Sequence, residues 1–503
     1  LAFRGIDNKK GVINMKRGLS LTLVLVFILG CVVFTPATPS ATAAGDAYQA
    51  IEQAVESIKD TVDLSSYNIP FYDDSKSAPE LSATLEKLRF TRPDLFYISY
   101  AVAFNATSTD GGKTYFVKEL TFTYLMNKGN IPAAKSYVSA QVDAIIQAIP
   151  NLQSLSSLEK VVAVHDYLAV NFNYDYTYTN ADVYSMLTQK VGVCEAFTGL
   201  YTLILKKLGI EVSYSISVDM AHVWNLVKLN GKWYHVDTTW GDSPVTGRVY
   251  HNYLLQSDNA WLNPPQTNLN NHYNWSDDYI CNDTTYDTYY WSDVITPILF
   301  ANTGESYYIK SQVSKGEIIK RTGNTESVVF TINDRWRVFE NSSMAYQGCY
   351  SGLGLYGKYL YYNTPNAVMR YDTEKRESQT VYQLSSTSEG YIYGIQVSAG
   401  SSNVNIKYEV SKSPNETGKV YTITDSPKCA FGHTYGGWIV SKQPTQTAAG
   451  TRKKTCSVCG DTVEESIPSL TTQNGYAYSV VTPPTTTSDG QAKWVHQTYG
   501  TFY

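Results

Sequence analysis

The chain has no excess of basic residues: 40 Lys and Arg stand against 45 Asp and Glu over 503 residues. Without a cationic surplus the electrostatic footprint of a nucleic-acid binder is missing, so no nucleic-acid partner is expected. Cysteine is scarce as well. Seven in a chain of this length do not make the dense disulfide framework of a small secreted scaffold. Long apolar runs are almost lacking; the one that stands out, Leu19 to Phe34, is short for a membrane span. What the chain has in quantity is tyrosine, 42 residues set among many Ser, Thr and Asn, a surface common in exported β-rich proteins. Its length is enough for roughly three or four domains, each with its own core.

Lys16 and Arg17 precede the apolar run, and the small residues Ala41-Thr42-Ala43 follow it. Charge, apolar stretch and A-x-A site, in that order, read as a signal peptide over 1–44 with Met15 as the expected start. An uncleaved anchor is one alternative. Lipid attachment at Cys31, after Ile28-Leu29-Gly30, is another, with the apolar residues beyond Cys31 counting against it. The expected location is secreted or cell surface, with membrane contact only through this N-terminal signal or anchor.

From Asp46, the residues Tyr48, Ile51, Val55, Ile58 and Val62 recur at helical spacing. Ser77 and Pro79 read as the cap and first turn of a second helix that ends before Arg92-Pro93. Leu95–Phe104 and Thr114–Tyr124 read as strands parted by the turn Asp110-Gly111-Gly112. A helix carrying Val138, Val142, Ile145 and Ile149 closes a small α+β region, 45–150. Next, Ser156 and Glu159 make a capping-box pattern ahead of a helix containing His165, which reads as a packed or surface histidine. Asn171–Tyr178 then leads as a loop towards Val191.

The chemistry concentrates between Gly192 and Asp242. Phe197, Leu200, Tyr201, Ile204 and Leu208 recur as one helix face, Lys206 and Lys207 occupy the last turn, and Gly209 stops the helix. Cys194 therefore falls at the helix head, where partial positive charge and unpaired N–H groups favour a thiolate and a developing oxyanion. Position alone is equally compatible with a cysteine packed as a small hydrophobe. Downstream, Asn230-Gly231 is the preferred two-residue hairpin turn, so Leu229 faces Lys232 across the ladder. That register sets His222 opposite Thr239 and Asp237 opposite Trp224, which makes His222 and Asp237 diagonal neighbours on one face. His235 shares the face as a rival. The loop-like approach Asp219-Met220-Ala221 favours His222.

The two stretches GVCEAFTGLYTLILKKLGIE and AHVWNLVKLNGKWYHVDTTWGD, in this order, resemble the core of the transglutaminase-like superfamily over roughly 158–258. The resemblance implies a papain-like fold with Cys194 as nucleophile, His222 as general base and acid, and Asp237 orienting His222. It implies acyl transfer from a protein or peptide amide through a thioester that passes to water or to a lysine amine, with no cofactor for catalysis. No residue matches the family's extra oxyanion donor clearly; Tyr174 and Tyr184 are candidates. Two alternatives stay open: an idle transglutaminase-like surface protein used for binding, and a peptide N-glycanase-like enzyme. Cell-envelope components are possible partners.

Beyond this domain, 151–295, the segment Asn259–Tyr290 reads as a long loop, and 296–425 alternates short aromatic and β-branched runs with turns. GKYLYYN and AVMRYD resemble propeller blade strands, with a sandwich as an equal reading. Pro444-Thr445 before Gly450 and Pro484-Thr485 before Gly490 mark two small β modules with a 40-residue period, 426–470 and 471–503. In the first, Cys429, His433, Cys456 and Cys459 have the spacing of a tetrahedral structural zinc site, with one disulfide plus a spare thiol as the alternative. Cys281 and Cys349 either pair or stay free. The expected fold class is multidomain: an α+β papain-like/transglutaminase-like core with β-rich C-terminal accessory domains.

Overall fold

In the computed structural model, residues 43–503 are described, apart from 73–76, 109, 111–113, 244, 264–270, 313–314, 338–344, 401 and 415. Residues 1–42 of the expected signal, Cys31 among them, and Gly111-Gly112 of the turn lie outside the described residues, while Ala43 and Ala44 already belong to the first helix.

The chain enters through α1 (Ala43–Glu56), which ends earlier than its apolar spacing implied. Lys59 N–H donates to the Ala54 carbonyl and Ile58 N–H to that of Val55, closing a Schellman turn with Ile58 left-handed at φ 55. Val62 then joins the strand Thr61–Asp63. Helix α2 (Pro79–Thr91) starts with Pro79 in its first turn, and its cap position is Ala78, not Ser77. Strands β1 (Ile98–Ser108) and β2 (Tyr115–Tyr124) form the expected antiparallel pair, and α3 (Ile131–Ala148) follows.

The capping box at Ser156 and Glu159 is present at the head of α4 (Ser157–Asn171). The stretch expected to be loop up to Val191 contains a helix, α5 (Val183–Gln189), whose cap Asp182 accepts from Tyr184 and Ser185 N–H. Next come α6 (Cys194–Lys207) and an antiparallel sheet in the order Leu254–Gln256, Lys232–Val236, His222–Leu229, Val212–Ser217. In chain order these are β3 (Val212–Ser217), β4 (His222–Leu229), β5 (Lys232–Val236) and β6 (Leu254–Gln256). The β4–β5 turn has Asn230 and Gly231 at φ 52 and 81, as a mirror-type hairpin requires. Leu229 pairs with Lys232, and the register holds to Asn225 with Val236.

One hydrophobic core runs from Ala47 to Ile319, so the N-terminal helices and the sheet around Cys194 bury their faces against each other. The region beyond Leu299 is organised as antiparallel sheets. Four strands from Leu299 to Ile332, four from Leu353 to Gln383 and three from Tyr391 to Asp425 follow in up-and-down order. GKYLYYN and AVMRYD supply adjacent strands of the second of these. The two tail modules each form a three-stranded sheet and match at 40-residue offsets: both carry a bulge, Val440/Lys442 and Val480/Thr482.

Candidate active site

Helix α6 begins at Cys194, which puts the thiol in the first turn, partly exposed. Two contacts tie this helix to α2, one at each end. Arg89 of α2 forms a two-point ion pair with Glu195, and Lys206 at the far end of α6 donates to the Thr91 carbonyl. The opposite face of α6 is tied to β4: Thr198 Oγ1 donates to the Val223 carbonyl at 3.1 Å, and Asn225 Nδ2 reaches the Thr198 carbonyl at 3.2 Å and Thr202 Oγ1 at 2.9 Å. The cysteine helix and the histidine strand are therefore held in one register.

The ladder stops at Val236, because the chain turns into one helical turn, Thr238–Gly241. The expected pairs of His222 with Thr239 and of Asp237 with Trp224 are therefore not formed. Asp237 N–H bonds to the Tyr253 carbonyl at 2.9 Å instead, and its side chain caps the turn, accepting from Thr239 N–H at 2.9 Å and Trp240 N–H at 3.2 Å on Oδ1. The diagonal relation survives: His222 Nε2 donates to Asp237 Oδ2 at 2.6 Å. Cys194 lies close enough to the same imidazole to raise its proton affinity. His222 is 8% exposed and Asp237 1%.

Burial lowers the proton affinity of His222, but the Asp237 carboxylate and then the Cys194 thiol outweigh it and raise the pKa to about 10. Burial likewise pushes Asp237 up, while His222 and His272 hold it well below the usual carboxylate range. The rival, His235, lies elsewhere: Trp224 Nε1–H donates to its Nδ1 at 2.9 Å, and its Nε2 contacts Asp258 Oδ1 at 2.8 Å. Of the two tyrosines considered as oxyanion donors, Tyr184 packs flat on Phe96 with ring centroids 5.4 Å apart. Tyr174 is near enough to the Cys194 thiol for the two charges to interact, although burial is the main reason its hydroxyl holds its proton. Its N–H donates to Asp242 Oδ2 at 3.2 Å, and burial raises the Asp242 carboxyl to about 7.

Two histidine contacts were not anticipated. His165 is fully buried; its Nδ1 and the Nε2 of His251 both sit 2.9 Å from Asp166 Oδ1. His272, in the segment read as loop, contacts Asp237 Oδ2 at 3.0 Å through Nε2. The one signal in the sequence was density. Five of the seven histidines fall between 165 and 272.

Far from Cys194, the donor atoms of Cys429, His433, Cys456 and Cys459 all lie within 4.8 Å of one another. Cys429 and Cys456 sulfurs are 3.6 Å apart. Two sulfurs at about 2.3 Å from a tetrahedral zinc are separated by about 3.8 Å, whereas a disulfide needs about 2.05 Å. The donor set and spacing thus fit zinc, and the disulfide alternative does not match the geometry. Burial raises the Cys456 thiol, but the N–H groups of Cys459 and Val458 and then His433 outweigh it, to about 5, whereas burial and then the neighbouring sulfurs push Cys429 up to about 12. Cys281 and Cys349 are free, each buried in a separate cluster. A cavity of about 540 Å³ lies beside the four-residue cluster, and in its lining Lys358 pairs with Asp372, Arg370 with Asp425 and Lys375 with Asp461.

Residues 146–238 match the family model of the transglutaminase-like superfamily. Kyphoscoliosis peptidase of Mus musculus is 24% identical over 147 residues, a match covering 24% of this chain and 22% of that protein. The chain therefore spans about a fifth of the length of this curated relative. Among solved structures, a TGase overlaps 27% of this chain and 44% of its own at 14% identity and a TM-score of 0.19. A chain from Cytophaga hutchinsonii, described as a cysteine protease, overlaps 27% of this chain and 62% of its own at 16% identity and a TM-score of 0.18. TM-scores this low add nothing to the assignment of the fold. The domain around Cys194 is transglutaminase-like by its sequence.

Proposed function

We propose that this transglutaminase-like chain is an exported cysteine-dependent acyl-transfer enzyme acting on protein or peptide amides, with Cys194, His222 and Asp237 as its triad. The observation that carries the reading is the His222 ring, bonded through Nε2 to Asp237 at 2.6 Å and close enough to Cys194 for the thiol to raise its proton affinity.

Each residue has a derivable part. Asp237 receives the Nε2 proton of His222, which fixes the tautomer and aims Nδ1 at the thiol. Transfer of the thiol proton to His222 gives a thiolate–imidazolium pair. The thiolate sulfur attacks the amide carbon; the C–S bond forms and the carbonyl electrons move to oxygen. The N–H groups at the start of α6 face the region where that oxyanion develops, with the Tyr174 hydroxyl as a further donor. His222 then delivers its proton to the leaving amine as the C–N bond breaks. An acceptor, water or a lysine amine, gives its proton to His222 and attacks the thioester, releasing the sulfur.

Around this centre, the sheets beyond Leu299 serve as accessory domains at the cell surface. A structural zinc on Cys429, His433, Cys456 and Cys459 orders the first tail module. The test is to incubate the full chain, and Cys194→Ala beside it, with exported proteins plus a primary amine. Mass spectrometry should find new termini or new isopeptide links only with the native chain. Identical digests from both proteins would refute the reading.

A further inference from the structure

His272 contributes to the site in a way that neither sequence spacing nor the superfamily match assigns. A strap after the short helix Asp258–Leu262 carries it, and the strap is pinned along the edge of β3. Ser276 and Ile216 exchange backbone bonds at 2.8 and 3.2 Å, Ser217 Oγ donates to the Tyr273 carbonyl at 2.7 Å, and Asn274 Nδ2 reaches Asp219 at 2.7 Å. His272 N–H itself donates to the Trp261 carbonyl at 3.2 Å. The ring so placed is 0% exposed, between Trp240 and Trp261, each with its centroid 4.1 Å away, and edge-on to Trp224 at 4.6 Å.

The hydrogen-bond chemistry of this ring can be derived. Asp237 Oδ2 accepts at 3.0 Å, so His272 Nε2 must carry the proton. Its Nδ1 is buried and has no partner among the described residues. Such an orphan costs about 1–3 kcal/mol, and a phenylalanine would fill the same slot between the indoles without that cost. Packing alone therefore does not account for a histidine here; the bond at Nε2 does.

We infer that His272 is a positioning residue for the reaction: it donates to the same Asp237 oxygen that receives the Nε2–H of His222, and so sets how strongly the carboxylate stabilises the His222 imidazolium. The inference rests on the function proposed above. Two donors on one oxygen share its charge, and each weakens the other's bond. Asp237 Oδ1 is already occupied by Thr239 and Trp240 N–H, so the carboxylate cannot rotate to relieve the competition. A less stabilised imidazolium is more acidic, so His272 thereby leaves the Nδ1 proton of His222 easier to deliver to a leaving amine. The titratable groups that act on His272 are Asp237, His222 and His235, and burial first of all keeps its ring neutral, at about 4.

The experiment is a ring-nitrogen NMR titration of the full chain, native and His272→Phe, with His272→Gln as the variant that keeps a donor. In the native protein His272 is expected to show a protonated Nε2 and a bare Nδ1 from pH 6 to 9. In His272→Phe the His222 titration should move upward by about half a pH unit or more, roughly threefold in proton affinity. His272→Gln should bring it back towards the native value. In turnover, His272→Phe should lower kcat with KM unchanged. A bare Nε2 on native His272 overturns the inference even if neither variant folds, and so does an unmoved His222 titration in folded His272→Phe. These readouts need no substrate, so an inert Cys194 would sink the proposed function and leave the bond between His272 and Asp237 to be judged separately.

Discussion

At the scale of single residues, the site is a set of buried polar groups whose protonation is fixed by neighbours. Asp242 gives the clearest consequence. Its carboxyl is raised from the usual 3.8 to about 7 by burial, so the folded chain holds a proton there that the unfolded chain has lost. Stability from this group is full below the unfolded value and is lost as pH rises through about 7, by up to about 1.4 kcal/mol per pH unit over that window. Asp242→Asn should therefore gain on the native chain between pH 4 and 7 in urea denaturation and keep a constant lead above. A pH-independent difference would contradict this placement. The sequence made the neighbourhood of Cys194, His222 and Asp237 legible because a helix stop, a two-residue turn and alternating strand residues are local signals, while their expected roles came from the superfamily resemblance. The bonds of His272 to Asp237 and of Asp166 to His251 were not legible, since they join residues 35 and 85 apart in sequence on different elements, which no local spacing relates.

At the scale of elements, the helical turn Thr238–Gly241 matters most, since it ends the ladder and presents Asp237. Strand spacing foresaw its diagonal reach to His222. The turn itself was hidden because it is only four residues long, with a cap and no apolar period. It also passes close to α4: a Cβ on Gly241 would lie 2.5 Å from His165 Nε2. Gly241→Ala is expected to destabilise the fold by about 1–3 kcal/mol through overpacking, seen as a lower urea midpoint with unchanged slope. An unchanged midpoint would mean that α4 and the turn are free to separate. The early end of α1 has a related cause. Ile58 keeps its apolar place in the spacing while its backbone is left-handed, so periodicity continued past the point where hydrogen bonding stopped.

At the scale of the whole molecule, the first tail module docks on the second of the accessory sheets through the very loops that carry its cysteines and histidine. Lys358 N–H donates to the Ala430 carbonyl at 2.8 Å, Tyr359 to that of Lys428 at 3.0 Å, and Lys375 pairs with Asp461 at 2.9 Å. Metal analysis of the purified full chain should find one zinc per molecule, lost in Cys456→Ser, and chelation should raise hydrogen exchange in 428–433 and 456–461. A metal-free chain with those loops fully protected would overturn the zinc assignment. The repeat period and the paired cysteines were readable from spacing, whereas the docking was not, because it joins turns of different sheets. Whether Cys194 is an activated nucleophile is read most directly from its alkylation rate against pH. Cys194 should react with iodoacetamide near neutral pH faster than free cysteine, and His222→Ala should slow it to the free-cysteine rate; a native Cys194 that reacts no faster than free cysteine, or a His222→Ala protein that reacts as fast as the native one, would contradict the role of the thiol.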